Sequence, residues 1–370
     1  MFRALLLLLA LLALPAATVV VEHARGPSYT GPGDIVSGAT AWYGLRAYNA
    51  AYAATPGKSV NVRRASDNVS CDVNVATTGG LGLTTATCNS STQGGITPTA
   101  FAGTDATATC TLATTTATCA SASSTPHVGS TITGAGLTQP CLITAVGTFT
   151  AGAGTLTTSL AGTSTSCGTI SVGETFTMTY GLFVTEAYDQ TGNGNNVTQA
   201  TAGNQPQFLP IVVGTLPGML GKASNTVLAG TIANVNQPTT MVAESIWTVP
   251  SGEADLVTTG TANNALSQGV QYFSSATFAG YAGSRQTVTV TNGLLYSTIG
   301  VLNGASGVIV TNGTAVTKNM GTNATGTFIE IMGRVGTNNF AGYFFEGGLW
   351  PIAFNSTQYG NMATNQAAYW

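Results

Sequence analysis

Charge is what this chain has least of. Asp, Glu, Lys and Arg make up 6% of its 370 residues, and no Lys or Arg occurs between Arg64 and Lys222. A nucleic-acid surface needs clustered cations to release counterions, so this scarcity excludes nucleic acid as an expected partner. Histidine is almost missing: beyond the leader only His127 remains. Without a Cys-x-x-Cys pair, zinc lacks a ligand set, so no metal or other cofactor is expected. No Ser-His-Asp arrangement is expected either, because His127 falls in low-complexity sequence. The Gly-Asn-Gly-Asn-Asn tract at 192–196 lacks the Lys-Ser/Thr of a phosphate loop. Sustained helical periodicity is absent before the C-terminal YGNMATNQAAYW.

What is present suits strands. Gly, Ala, Thr, Ser and Asn dominate, and apolar residues reach 44%. That mixture belongs to many short strands joined by tight turns. From residue 180 onward, runs such as TMVAESIWTV, QTVTVTN, LLYSTIGVLNG and GTFIEIMGRVG are β-branched or aromatic, with Asn303-Gly304 and Asn312-Gly313 at hairpin spacing. A sheet with one apolar face buries it best against another sheet. The expected fold is therefore all-β, a two-sheet antiparallel sandwich.

Four segments are expected. Residues 1–25 hold Arg3 and the apolar run ALLLLLALLALP, which reads as a signal peptide or a retained N-terminal anchor. Export to the cell surface or medium follows, with membrane contact only if the anchor is kept. Residues 26–92 form the first part of the sandwich, 93–179 a β-rich insertion of low complexity, and 180–370 the main sandwich. Within the insertion, HVGSTITGAGL and SVGETFTMTYGL form a weak internal repeat, read as β-hairpins. Cys71, Cys88, Cys110, Cys119, Cys141 and Cys167 are even in number and suit disulfides in an exported chain. Sequence alone does not choose among their connectivities, although proximity favours Cys71 with Cys88 and Cys110 with Cys119.

Particular motifs carry a resemblance. LNGASGVIVTNGTAV followed by IEIMGRVGTNNFAGYFFEGGLWPIAFNSTQ resembles the closing hairpins of laminin-G-like, concanavalin A-like jelly rolls. GPGDIVSGATAWYGLRAYNAAY, RRASDN and YDQTGNGNNVTQA together resemble the catalytic domain of the secreted arabinofuranosidase B family. The match covers roughly residues 31–90 and 183–370, with the insertion between. The resemblance implies a jelly-roll sandwich and glycoside hydrolysis by two carboxyl groups. In that family the acid is an Asp in a loop whose counterpart here is MGRVGTNNF, with Thr337 and Asn338 where the Asp would fall. The nucleophile is a Glu on a central strand, and the counterpart NALSQGVQYFSS has no carboxylate. Neither catalytic residue carries over.

Replacement carboxylates are Glu330 and Glu346, expected on adjacent strands, and Glu244 on another strand of the same sandwich. Against this stands a reading in which Glu346 is a structural residue hydrogen-bonded at the sheet edge and Glu330 faces solvent. Asp189, Asn193 and Asn195 read as a turn, or as oxygen ligands for calcium; one carboxylate is too few to favour the metal. Trp247, Tyr272, Tyr343 and Trp350 could stack on sugars with Asn338 fixing hydroxyls, although alternation sends about half of such rings inward. Arg63 and Arg64 are expected to pair with Asp67. The leading functional expectation is an exported protein that binds neutral polysaccharide. The alternatives are an active α-L-arabinofuranosidase-type hydrolase with relocated carboxylates, and a surface or virion adhesion protein.

Overall fold

The computed structural model describes residues 29–81, 87–89, 95–160, 165–222, 226–248, 252–261, 266–274, 276–336 and 338–370. The leader therefore lies outside the described residues, as does Thr337. Among the described residues no helix is long and apolar enough to cross a membrane.

The architecture is the expected antiparallel sandwich. One sheet runs through strands Thr314–Lys318, Gly307–Thr311, Leu295–Leu302, Thr239–Trp247 and Gly342–Trp350, which then pairs with both Ala41–Gly44 and Leu216–Gly221. The facing sheet runs through Arg285–Thr289, Thr277–Tyr281, Gln268–Phe273, Glu253–Gly260, Phe328–Ile331, Leu228–Thr231, Val197–Thr198, Leu182–Ala187, Lys58–Arg64 and Ser70–Asn74. Strand Gln207–Val213 pairs with a member of each and joins them along one side.

Alternation fills the space between the sheets. Val60, Val62, Val184, Leu228, Ile329, Ile331 and Val257 from one sheet meet Met241, Ala243, Phe344 and Leu349 from the other in a single buried cluster. At Gly347 the layers come so close that a Cβ would lie 2.7 Å from Val257 Cγ2. Any larger residue there would push the sheets apart. Helix Ser356–Tyr369 closes the opposite face of the first sheet. Asn355 caps it by accepting from Gln358 N–H, while Gln358 accepts from Asn355 N–H.

The inserted sequence forms a closed six-stranded barrel in the order Ile170–Thr179, Thr104–Ala113, Thr116–Ala120, Gly154–Leu160, Cys141–Val146 and Thr131–Thr133. In the first long strand Ala106, Ala108, Cys110 and Leu112 point inward, while Thr107 and Thr109 stay exposed. Period-two alternation of Thr with small apolar residues thus fills a narrow barrel, and closure leaves no open sheet edge. Three disulfides join Cys71–Cys88, Cys110–Cys119 and Cys141–Cys167, and no described cysteine is free. The first two are the pairs favoured by proximity. Such bridges fit an extracellular protein. The chain enters and leaves the barrel side by side, with Tyr180 N–H donating to Gly103 O at 3.2 Å.

Candidate functional site

The outer face of the second sheet carries the site. Thr198 pairs with Ala229, Ala229 with Glu330, and Glu330 with Thr258, so these four residues form one row across the strands. Their chain neighbours Val197, Leu228, Ile329, Ile331 and Val257 belong to the core. The row therefore faces away from it.

Above the row lie two clefts of about 530 and 340 Å³ that share Thr198 and Gln199. Together they make one groove. The larger lobe is lined by Thr198, Gln199, Thr201, Asn204 and Thr231, with Phe328 supplying a ring and Val335 and Gly336 closing the end. The smaller adds Asn61, Asn68, Ser70, Thr185 and Gln205, with Arg63 as its one charged lining residue. Hydroxyl and amide side chains thus alternate with apolar surface from Val227, Ala229, Ala200 and Phe328, and neither lining holds a carboxylate.

Beside the groove the same face gathers acids and arginines. Glu330 is buried and accepts from Val335 N–H at 3.1 Å, which fixes the loop at the groove's end. Arg334 places Nε 3.4 Å from Asp255 Oδ2 and Nη2 3.9 Å from Glu253 Oε2. Arg285 also pairs with Glu253, as do Gln271 and Asn338 through their amide nitrogens. Asn338 O accepts from Asp255 N–H at 3.1 Å. Burial pushes the Asp255 carboxyl up to about 7; Glu330 adds to this, whereas Arg334 and Asn338 oppose it.

This cluster stands where the resemblance puts family chemistry. Gln271 comes from NALSQGVQYFSS, and Arg334 and Asn338 from MGRVGTNNF. The two stretches do meet, and the acids between them are Asp255 and Glu253, which were not among the candidates. A signal existed: in Glu253-Ala254-Asp255-Leu256, strand alternation sends both acids to one face while Ala254 and Leu256 enter the core.

The other candidate carboxylates are elsewhere. Glu330 and Glu346 are not on adjacent strands: they sit in opposite sheets, because strand Phe328–Ile331 belongs to one layer and strand Gly342–Trp350 to the other. Glu346 pairs in register with Glu244, both fully buried, on the face covered by helix Ser356–Tyr369. Arg46 neutralises Glu346, and Gln366 Nε2 donates to Glu346 Oε1 at 3.2 Å. Burial pushes the Glu244 carboxyl well up, reinforced by Glu346 and opposed by Arg46. This trio is packed between sheet and helix, away from the groove.

The candidate rings are core residues rather than sugar platforms. Trp247 stacks on Tyr272 at 4.8 Å, and Tyr272 on Phe340 at 6.2 Å. Trp350 packs edge-on to Trp42 and donates Nε1–H to Val36 O, while Tyr343 is buried among Leu209, Leu220 and Phe345. Strand alternation turned Trp247 and Tyr272 inward, whereas Tyr343 and Trp350 lie on the other face of the first sheet and are buried by the segments packed over it.

The Asp189 block is a clamp. Its carboxylate accepts from the backbone N–H groups of Trp42, Thr191 and Asn195 and from the Thr191 hydroxyl. Asn193 and Asn195 donate to the carbonyls of Ala39 and Thr40. The loop thereby pins the strand Ala41–Gly44 and its approach. In the barrel, Asp105 accepts from His127 N–H and Ser130 Oγ–H and contacts His127 Nδ1 at 2.7 Å. Ser130 bonds the carboxylate and not the imidazole, so the three residues form no nucleophilic relay. Arg64 pairs with Asp67 as expected, but Arg63 does not.

Among solved structures, the chain is similar to a GH54 α-L-arabinofuranosidase soaked with cyclic sulfate inhibitor, with a TM-score of 0.50 and 12% identity over 92% of this chain and 65% of that one. The likeness is one of fold. An arabinofuranosidase complexed with arabinofuranosyl-α-1,2-xylobiose gives a TM-score of 0.48 at 12% identity over the same shares of 92% and 65%. A Trypanosoma rangeli sialidase in complex with sialic acid gives 0.33 at 12% identity over 50% of this chain and 31% of that one. This chain thus spans about two thirds of the arabinofuranosidases it matches, at 65% of their length. No family model and no curated protein matches it.

Proposed function

We propose that this is an exported glycan-binding protein on an arabinofuranosidase-like sandwich, and that neutral polysaccharide lies in the groove across Thr198 and Gln199. The observation that carries this reading is the groove's lining. Sugar hydroxyls exchange hydrogen bonds with amides and hydroxyls, and a sugar's apolar face packs on a ring such as Phe328. Neutral ligands need no ionised partner, so their affinity is expected to stay constant between low and high salt. Hydrolysis by the usual two-carboxylate route is not part of this reading, because the stretches that would supply nucleophile and acid contribute Gln271, Arg334 and Asn338 instead.

The test is retention on affinity gels of neutral plant and bacterial polysaccharides, with the double variant Gln199→Ala/Asn204→Ala as control. Retention of a neutral polysaccharide at both salt concentrations, weakened in the variant, supports the proposal. Failure to retain any neutral glycan sinks it and favours an adhesion or structural role.

A further inference from the structure

The smaller lobe of the groove ends at an arginine whose surroundings differ from those of the others. Among the described residues, Arg46, Arg64, Arg285 and Arg334 each face at least one carboxylate. Arg63 has no carboxylate of the described residues within ion-pair distance. Neutral oxygens hold it instead: Nε donates to Gln205 Oε1 at 2.9 Å and Nη1 to Asn68 Oδ1 at 2.8 Å. Nη2 makes no hydrogen bond to the described residues. Asn68 holds its end of this pair from a left-handed backbone, φ 61°, a conformation that Asn tolerates better than most residues.

A second cation adds to the local potential. The Arg63 guanidinium lies 5.4 Å from the centre of the Phe183 ring, and Lys222 Nζ lies 4.9 Å from the same ring. Lys222 has no carboxylate partner among the described residues either. Two positive charges therefore share one aromatic ring beside a lobe of about 340 Å³ whose lining holds no acid. A guanidinium already oriented through two of its nitrogens loses little freedom when a third binds an anion, and planar carboxylates match its geometry.

We infer that the groove takes a largely neutral glycan bearing a uronic acid unit, whose carboxylate is bound by Arg63 while the neutral sugars run past Thr198 and Gln199 toward Phe328. This rests on the glycan-binding reading of the groove and specifies its ligand. One arginine contact makes the acidic unit a specificity element and leaves the neutral sugars their own affinity.

Titration calorimetry on the whole protein with two probes tests it: xylotetraose, and the same oligosaccharide carrying one glucuronic acid branch. The acidic probe is expected to bind about 10-fold tighter, the scale of one charge-assisted hydrogen-bonded contact. Arg63→Gln should erase that difference between the two probes, whatever it does to xylotetraose binding, whereas Arg63→Lys should keep part of it. Raising the salt should weaken the acidic probe alone. Equal affinity for both probes, or an advantage that survives Arg63→Gln, overturns the uronate inference while the glycan reading stands. If neither these probes nor any neutral glycan binds, the glycan reading itself falls.

Discussion

Arg46 and Glu346 meet through two hydrogen bonds, Nε to Oε2 at 2.5 Å and Nη2 to Oε1 at 2.7 Å, with both side chains 0% exposed. The Tyr369 ring covers the guanidinium at 4.8 Å, so the pair ties the C-terminal helix to the sheet beneath it. Breaking a buried pair strands the remaining charge. Glu346→Ala should therefore cost about 3–5 kcal/mol in denaturant unfolding. Glycan retention by the fraction still folded should be unchanged, since the pair lies away from the groove.

Asp255 sets a pH dependence whose sign is fixed by its burial. Its carboxyl is pushed up to about 7 in the folded protein, whereas an unfolded Asp titrates near ~3.9. Between those values the folded chain keeps a proton that the unfolded chain has released. Stability should therefore fall as pH rises from about 4 to 7, by about 1.4 kcal/mol per unit within the window. Glu244, pushed in the same direction, adds to the slope. Thermal melts of Asp255→Asn should show a shallower decline across pH 5 to 7 than the parent. Parallel curves would contradict this assignment.

Aryl arabinofuranosides should be hydrolysed very slowly or not at all. Turnover at ordinary enzyme rates, about 1–1000 per second, would contradict the proposal that hydrolysis by the usual carboxylate pair is not its activity. Asp255→Asn and Glu330→Gln would then show which acid of the outer face had taken over.

The barrel should depend on its disulfides more than the sandwich does. Cys141–Cys167 closes a separation of 26 residues, and replacing both cysteines by Ser should destabilise the barrel by about 3 kcal/mol. Hydrogen exchange should locate the loss in residues 104–179 and leave the amides of the strand Gly342–Trp350 protected. Labelling of the unreduced, denatured parent should find no free thiol.

Sheet content was legible because Val, Ile and Thr runs alternate and Asn-Gly turns punctuate them; short-range cysteine pairs were legible because their hairpins are short. Alternation also says that half the rings face inward, but not which half. Trp247, Tyr272, Tyr343 and Trp350 could thus be read as platforms although all four are buried. Glu330 and Glu346 read as neighbours in sequence because their strands are consecutive, yet a crossing between layers leaves no trace in composition. The groove was invisible for a related reason. Thr198, Ala229 and Phe328 come from strands far apart in sequence, and only their register brings them together.

The hydrogen bond from Tyr180 to Gly103 closes the neck of the barrel. The two ends of the barrel lie a single bond apart, as at a tight turn, but the barrel is also seated on the sandwich: Leu142 packs with Leu209, Leu220 and Tyr343, and Gly129 O accepts from Gln207 Nε2. A different small domain mounted on the same neck would have to bring its own apolar cover for that seat.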